Sequence, residues 1–526
     1  MKRRVLETTI LTLLLASTAP VAAQQANQNI NVLPVIPQQD ELDDEWFKLG
    51  DGFLQRQVEP TIAVSTRNPD HLIAFFNDYR AVDVPDDVGL GEQEQMAALA
   101  LTTYDVMMAS VLPVPELPIV QLPPMAAAEA WVGGSRSYDG GLTWSGFFMP
   151  GAPFDLSPAS TASPVFGLEA ATDPVAVAGP CGYVYVVFMG FTRGDQSKMV
   201  VARYQDLNNV EGGDTWEYQG TTVLEVGNNA TNGYFLDKPN INLDIWRGPG
   251  AADQCSHRVY ASYSTFNGND QNGNFSSKIN FAKSEDLGQT WDISKIQQPY
   301  NQNQGSALAV DPRPGTPKSG GGGTIYLVWR HFSDPDTILM TRTLDFGKKW
   351  TKPQELIGSL PMSPFDQPTI STSFSDPSVL SFRSNGFPTA AVTGDGTVFV
   401  AWQERVDITP SSPDFGRPSF DEITDSPRIV MVRSTDGGET WTDTDGNPGT
   451  RSAVDFGDRD ADPGTQPPPG FGALPDDRPS GPQVMPWLSF GGDRLALVYY
   501  ESRGLLGGGD IGIQDQDISS STSFIS

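Results

Sequence analysis

Ser137-Tyr138-Asp139-Gly140-Gly141-Leu142-Thr143-Trp144 decides the fold, because it returns as Ser284 to Trp291 (SEDLGQTW) and as Ser434 to Trp441 (STDGGETW). A weaker copy, Thr343 to Trp350 (TLDFGKKW), carries Lys349 in place of Thr, and a relic ends at Gly213-Asp214-Thr215-Trp216. Repetition of this kind marks a fold built from one recurring unit. The chemistry of the octet is that of a hairpin turn. The carboxylate of Asp139, Asp286, Asp345 or Asp436 can accept backbone N–H bonds across the turn, and Gly takes a conformation that a Cβ forbids. These four Asp residues are therefore read as structural, and the Trp is expected to pack between neighbouring sheets.

Working outward from each turn, two strand patterns lie upstream. The first is short and usually follows a Pro: Pro60 to Val64, Pro174 to Val177, Pro239 to Asn242, Ala307 to Val310, Pro388 to Val392 and Pro486 to Ser489. The second is an apolar run rich in β-formers: HLIAFF (71–76), YVYVVF (183–188), RVYASY (258–263), TIYLVW (324–329), TVFVAW (397–402) and RLALVY (494–499). A third strand leads into the turn and a fourth leaves it. Four antiparallel strands per unit, six times over, predict an all-β chain, a six-bladed β-propeller. The last unit has no turn motif. Asp510 to Asp517 is its remaining strand-like stretch, a Ser-rich tail follows, and Asn29 to Val35 is a candidate closing outer strand; the alternative is a leader without structure and a truncated last blade.

Composition narrows the function. The chain has 526 residues, 34 Lys+Arg against 64 Asp+Glu, 3 His and 2 Cys, for a net charge of −30. Such a chain is a poor non-specific nucleic-acid binder. It has little to offer a His-rich metal site, and no metal or cofactor is expected. Met1 to Arg4 is basic, Thr8 to Ala19 mostly apolar, and Val21-Ala22-Ala23 small, which reads as a signal peptide over 1–23 with cleavage near Ala23. The product is expected to be secreted or periplasmic, monomeric and without a membrane span. Residues 24–49 form a leader and 50–526 the propeller, with insertions at 87–128 and 443–483. Gln93 to Val111 in the first insertion has helical composition. Asp455, Asp458, Asp460 and Asp462 in the second lack a fixed calcium-loop spacing and are read as a solvated acidic loop. Cys181 and Cys255 precede the second strands of adjacent blades and are a possible disulfide; geometry decides it.

The polar residues collect at one end of the units. After the second strands come Asn77-Asp78-Tyr79-Arg80, Arg193-Gly194-Asp195, Arg330-His331, Gln403-Glu404-Arg405 and Glu501-Ser502-Arg503. At the starts of first strands come Glu59, Asp173 and Asp237-Lys238. Arg80, Arg330, Arg405 and Arg503, with Glu501, are candidate ligand-binding residues, since an Arg fork binds a carboxylate through two bonds. An acidic glycan is the ligand class this suits. The alternative is that these groups pair with one another to hold the ring together.

The turn motif resembles the Asp-box, or BNR repeat, of the sialidase-like propellers, over roughly residues 50–505. LIAFFNDYR is similar to the sialidase strand that places Arg80 on an active-site arginine, and VYYESRG to the closing segment at Tyr500-Glu501. The resemblance implies a carboxylate-binding role for Arg330 and a general acid in the loop after Arg80, where Asp83 and Asp86 stand; with Glu59 these are the candidate catalytic carboxylates. The departures are in the chemistry. Val58-Glu59-Pro60 replaces the family's Arg-Ile-Pro, with Arg56 nearby. Gln483-Val484-Met485-Pro486 stands where the Tyr nucleophile belongs, and Gln304-Gly305-Ser306 where its Glu belongs. The covalent step then has no evident nucleophile. Two functions follow: an exported propeller that binds and cleaves an acidic glycan as an exo-sialidase-type glycoside hydrolase, or a non-catalytic propeller that binds a protein or surface.

Overall fold

The computed structural model describes residues 57–78, 130–153, 155–192, 196–207, 216–228, 233–245, 255–267, 276–299, 302–313, 323–333, 335–358, 360–361, 386–407, 409, 411–413, 417–418, 425–454, 483–491, 494–503 and 517–525. The expected signal peptide, leader and helical insertion, the candidate strand Asn29 to Val35, and Arg80, Asp83, Asp86, Asp455, Asp458, Asp460 and Asp462 lie outside them.

Six antiparallel sheets follow one another along the chain as a β-propeller. Sheet one holds β1 (Gln57–Val64), β2 (Leu72–Asp78), β3 (Trp131–Ser137) and β4 (Ser145–Phe148). Sheet two holds β5 (Ala170–Ala178), β6 (Tyr183–Phe191), β7 (Gln196–Asp206) and β8 (Trp216–Asn228). Sheet three holds β9 (Tyr234–Asp244), β10 (Arg258–Asn267), β11 (Ser276–Ser284) and β12 (Asp292–Lys295). Sheet four holds β13 (Gln302–Val310), β14 (Ile325–Phe332), β15 (Thr337–Thr343) and β16 (Gln354–Glu355). Sheet five holds β17 (Thr389–Val392), β18 (Val398–Asp407), β19 (Asp425–Ser434) and β20 (Ser452–Ala453). Sheet six differs from the expected four strands: among the described residues it has three, β21 (Gln483–Gly491), β22 (Arg494–Arg503) and β23 (Asp517–Ile525). The strand beside β22 is thus the Ser-rich tail, whose alternation Ile518, Ser520, Thr522, Phe524 is a strand period that the serines conceal.

The second strands read as unbroken apolar runs because both faces are buried. Along β6, Val184, Val186 and Phe188 join the core against sheet one, while Tyr185, Val187 and Met189 join the core against sheet three. Along β14, Ile325, Leu327 and Trp329 face sheet three, and Tyr326 and Val328 face sheet five. The turn tryptophans close these cores from outside. Trp216, Trp291, Trp350 and Trp441 each pack on the core between their own sheet and the preceding one. Five such cores join sheets one to six in order. None of the five contains Trp144, and Ile62 (56% exposed), Val64, Trp487 (45%) and Val498 on sheets one and six remain open to water.

The first strands are innermost: β1 packs on β5, β5 on β9, β9 on β13, β13 on β17 and β17 on β21. Side-chain acceptors tie them together. Thr61 Oγ1 accepts from Ala176 N (3.2 Å), Asn240 Oδ1 from Leu308 N (3.0 Å) and Thr389 Oγ1 from Leu488 N (3.0 Å). Each satisfies an amide on a strand edge that has no ladder partner.

In sheets one, three, four and five the turn motif sits at the far end from the second-strand terminus, because the start of the second strand opposes the motif's first residue: Leu72 with Ser137, Val259 with Ser284, Ile325 with Thr343 and Val398 with Ser434. Asp436 Oδ1 accepts from Thr440 N (2.9 Å) and Glu439 N (3.0 Å), and Oδ2 accepts from the Thr440 hydroxyl (2.6 Å). Asp139 and Asp286 bind Thr143 and Thr290 in the same way. In the weak copy Asp345 keeps the bonds from the amide of Lys349 (2.8 Å) and the hydroxyl of Thr343 (2.9 Å), but Lys349 has no hydroxyl to add as the motif's Thr does. Hydrogen bonds from Thr143 and Ser137 hold the Asp139 carboxyl down at about 2; at Asp436, burial is the largest single effect and pulls upward, but the bonds from Thr440, Ser434 and Glu439 together outweigh it and bring the carboxyl to about 2. Folded-state values below the unfolded one mean stability that is full above about pH 4 and lost as pH falls toward 2. The turn is exposed and water competes for these bonds, so Asp436→Ala should cost about 1 kcal/mol in a urea titration. An unchanged midpoint would deny the turn its structural role.

Candidate functional site

One irregularity recurs at the inner end of the first strands. The pairing of the first strand with the second shifts register between Val58 and Thr61, between Thr172 and Val175, between Gln304 and Ala307, and between Val484 and Trp487. In sheet three the shift lies opposite Ser262 and Ser264, between Asp237 and Asn240. Four of these bulges hold an X-Pro pair: Glu59-Pro60, Asp173-Pro174, Lys238-Pro239 and Met485-Pro486. Pro has no N–H to give the ladder and is tolerated where the ladder is interrupted. A bulge also re-aims the side chain it carries. Asp173 (φ 57), Lys238 (φ 45) and Met485 (φ 55) take left-handed backbone angles that are costly with a Cβ. Three residues of different chemistry thus hold the same strained geometry at the same place in the unit.

That place is the axis. Equivalent positions in neighbouring sheets come within reach only near the centre, and here they touch. Lys238 Nζ lies 3.3 Å from Asp173 Oδ2, bulge residue to bulge residue across sheets two and three. Gln304 Nε2 donates to Asp237 Oδ2 (2.6 Å) across sheets four and three. All four side chains are half-buried and keep some surface open to solvent. The second-strand ends brace the bulges: Asn77 Oδ1 accepts from Asp173 N (2.7 Å), and Gln403 Oε1 from Met485 N (3.0 Å). On the side of sheets four and five the wall turns apolar. Gly305 (φ 65) is obligatory there, because a Cβ at that position would lie 2.1 Å from the ring of Phe387. Phe387 in turn meets Phe332 edge to face, with centroids 6.4 Å apart.

Burial, with the Asp173 charge next in weight, pushes the Asp237 carboxyl up to about 7, against the opposing pull of Lys238. Near neutrality this carboxyl shares its proton with solvent, as a group that gives and takes protons must. Glu404 is also raised to about 7, by burial, but has no exposed surface: Arg451 Nε (2.6 Å) and Trp402 Nε1 (2.6 Å) enclose it. It belongs to the packing between sheets.

Of the residues expected at the site, Arg330 is 2% exposed and gives both Nε (2.9 Å) and Nη2 (2.6 Å) to Asp336 Oδ2, with its guanidinium over Phe332 at 4.5 Å. Arg405 is buried on β18. Glu59 lies within the bulge of β1, and Glu501 and Arg503 on β22. The centre the structure assembles is Asp173, Lys238, Asp237 and Gln304, none of which stands among the candidate ligand-binding or catalytic residues of the sequence. Their signal was the X-Pro pair that opens the first strands. Cys181 and Cys255 form a disulfide between sheets two and three at the opposite end, with Cα atoms 5.3 Å apart. Among the described residues no group of three or more His, Cys, Asp or Glu could hold a metal, and no helix is long and apolar enough to cross a membrane.

No family model and no curated protein matches the chain. Among solved structures it is similar to a protein of unknown function from Dyadobacter fermentans, at 13% identity and TM-score 0.39, over 89% of this chain and 94% of that one. It is similar to the Trypanosoma rangeli sialidase in complex with the inhibitor DANA, at 11% identity and TM-score 0.37, over 85% of this chain and 52% of that one. A Hadza microbial sialidase matches at 15% identity and TM-score 0.39, over 86% of this chain and 64% of that one.

Proposed function

We propose that this chain is an exported propeller that binds a glycan at the axial mouth, with an acidic sugar as its ligand. The observation that carries the reading is the pairing of a polar wall with an apolar one. Asp173, Lys238, Asp237 and Gln304 offer charged and neutral hydrogen-bonding groups, and Phe387, against Gly305 in the same bulge as Gln304, adds an aromatic ring that meets Phe332. A sugar ring has the same two characters, hydroxyls at its edge and C–H groups on its face, and small-ligand sites combine aromatic surface with a few placed polar groups in this manner. Lys238 supplies a cation for an acidic substituent. A leader over 1–23 would deliver the chain to an oxidising compartment, where its disulfide belongs.

The test is calorimetry of the purified chain against sialosides, uronic-acid oligosaccharides and neutral oligosaccharides. The expected result is binding of an acidic sugar, weakened about tenfold or more by Lys238→Gln, since a charge-assisted bond contributes about 1.5–3 kcal/mol. Binding of neutral sugars alone would overturn the acidic ligand. The second reading, a protein- or surface-binding propeller without sugar recognition, is favoured by the commitment of Arg330 to Asp336. It gains if no sugar of the panel binds.

A further inference from the structure

We propose that the Asp173 and Asp237 carboxylates are a catalytic pair that cleaves a glycosidic bond at this mouth, with Asp237 as proton donor and Asp173 as acceptor. The proposal rests on the glycan reading and moves the chemistry away from the loop after β2, where the family resemblance puts the acid, to the bulges of sheets two and three. The placement supports it first. The two residues come from neighbouring innermost strands and are joined through Lys238, whose ammonium lies 3.3 Å from Asp173 and which directly follows Asp237 in the chain. The division of roles comes from unlike surroundings. Asp173 is paired with the ammonium of Lys238. Asp237 receives the neutral amide of Gln304 at 2.6 Å and, crowded by protein, retains its proton to about pH 7. Two carboxyl groups whose environments set them apart can divide acid and base work between them.

The step balances without any further reagent. The bond between the anomeric carbon and the bridging oxygen breaks, and its electron pair leaves on the oxygen, which takes the proton of Asp237. A water adds to the anomeric carbon and gives its surplus proton to the Asp173 carboxylate. Two free hydroxyl-bearing sugars result. The proton on Asp173 passes to solvent and Asp237 recovers one from solvent.

Among the described residues the charged groups that face Asp237 are Asp173 from β5 and Lys238 from its own strand, while β13 presents the neutral Gln304. This fixes the signs of a pH test. Asp237 acts while protonated, so cleavage should fall as pH rises through about 7. Asp173→Asn removes the proton acceptor together with the charge that raises Asp237, so cleavage should be lost while the Asp237 carboxyl, followed by NMR titration, moves to lower pH. Lys238→Gln removes the charge that lowers it and should move the limb to higher pH. A residue with only a packing role would shift neither.

The experiment incubates the full-length purified chain with the same sialosides, uronic-acid oligosaccharides and neutral oligosaccharides. It measures new reducing ends and, separately, binding. The expected result is cleavage of a sugar that binds, lost about 10²- to 10⁴-fold in Asp237→Asn, with affinity and melting temperature nearly kept. Should Asp237→Asn fail to fold, the rise of the limb in Lys238→Gln and the opposite shift of the Asp237 titration in Asp173→Asn decide. Binding without cleavage by the wild-type chain overturns the catalytic pair and leaves the glycan reading standing. Absence of binding overturns both. Cleavage that persists in Asp237→Asn, or a limb that stays in place in Lys238→Gln, overturns the assignment of the acid, and cleavage that persists in Asp173→Asn overturns that of the acceptor.

Discussion

Arg330→Ala is expected to cost about 3–5 kcal/mol of folding stability, because it leaves a buried carboxylate without its cation. Asp336 is 8% exposed, and its Oδ2 receives both Nε and Nη2 of Arg330 while Oδ1 accepts from Ser333 N at 2.9 Å. The lost guanidinium also sits over Phe332, so packing goes with the charge. Urea denaturation followed by tryptophan fluorescence reads the loss. The double change Arg330→Met with Asp336→Leu should recover most of it, since a buried ion pair replaced by apolar residues of similar volume is often near neutral. A single variant as stable as wild type would show that the pair is not held in the folded chain. Any loss of ligand binding in Arg330→Ala should then be read against the folded fraction, and the double variant separates the two effects.

Removing the disulfide, by Cys181→Ser with Cys255→Ser, is expected to cost about 4 kcal/mol. That is the loop-closure estimate for the 74 residues separating the two cysteines. The bridge joins the turn between β5 and β6 to the entry of β10, across the core that holds Tyr185, Tyr263 and Met199. Cys181 itself has a left-handed backbone (φ 60), which the bridge helps to keep in place. The Asp173–Lys238 pair lies at the other end of the same two sheets. Sugar binding by the folded protein should therefore be unchanged while the melting temperature drops. Equal melting curves with and without reductant would refute the estimate.

The propeller was readable because its signals are local. Alternation along β6 sends odd and even residues to two different cores, and the turn octet carries its own hydrogen-bonding partners within four residues. The tail strand was hidden for an equally local reason: serine in place of apolar residues silences the period of β23. The site is a different matter. Asp173 and Lys238 stand 65 positions apart, and Asp237 and Gln304 stand 67 apart, so their meeting depends on how consecutive sheets turn about the axis. Arg330 shows the converse. An arginine at a strand end invites an anionic ligand, yet Asp336 six residues on was near enough to claim it.

The uneven joints between the sheets have a mechanical meaning. Five joints are cemented by apolar cores and one of them by a covalent bolt, whereas Ile62, Val64, Trp487 and Val498 meet water. Among the described residues no apolar core joins sheets six and one, and an annulus cemented at every joint but one is expected to bend first at that joint, as a spring clip does. The pairs that line the bore do not feel this equally. Asp173 with Lys238 and Asp237 with Gln304 lie on the arc of sheets two to four, whose joints all carry apolar cores, so their spacing is expected to hold under such bending.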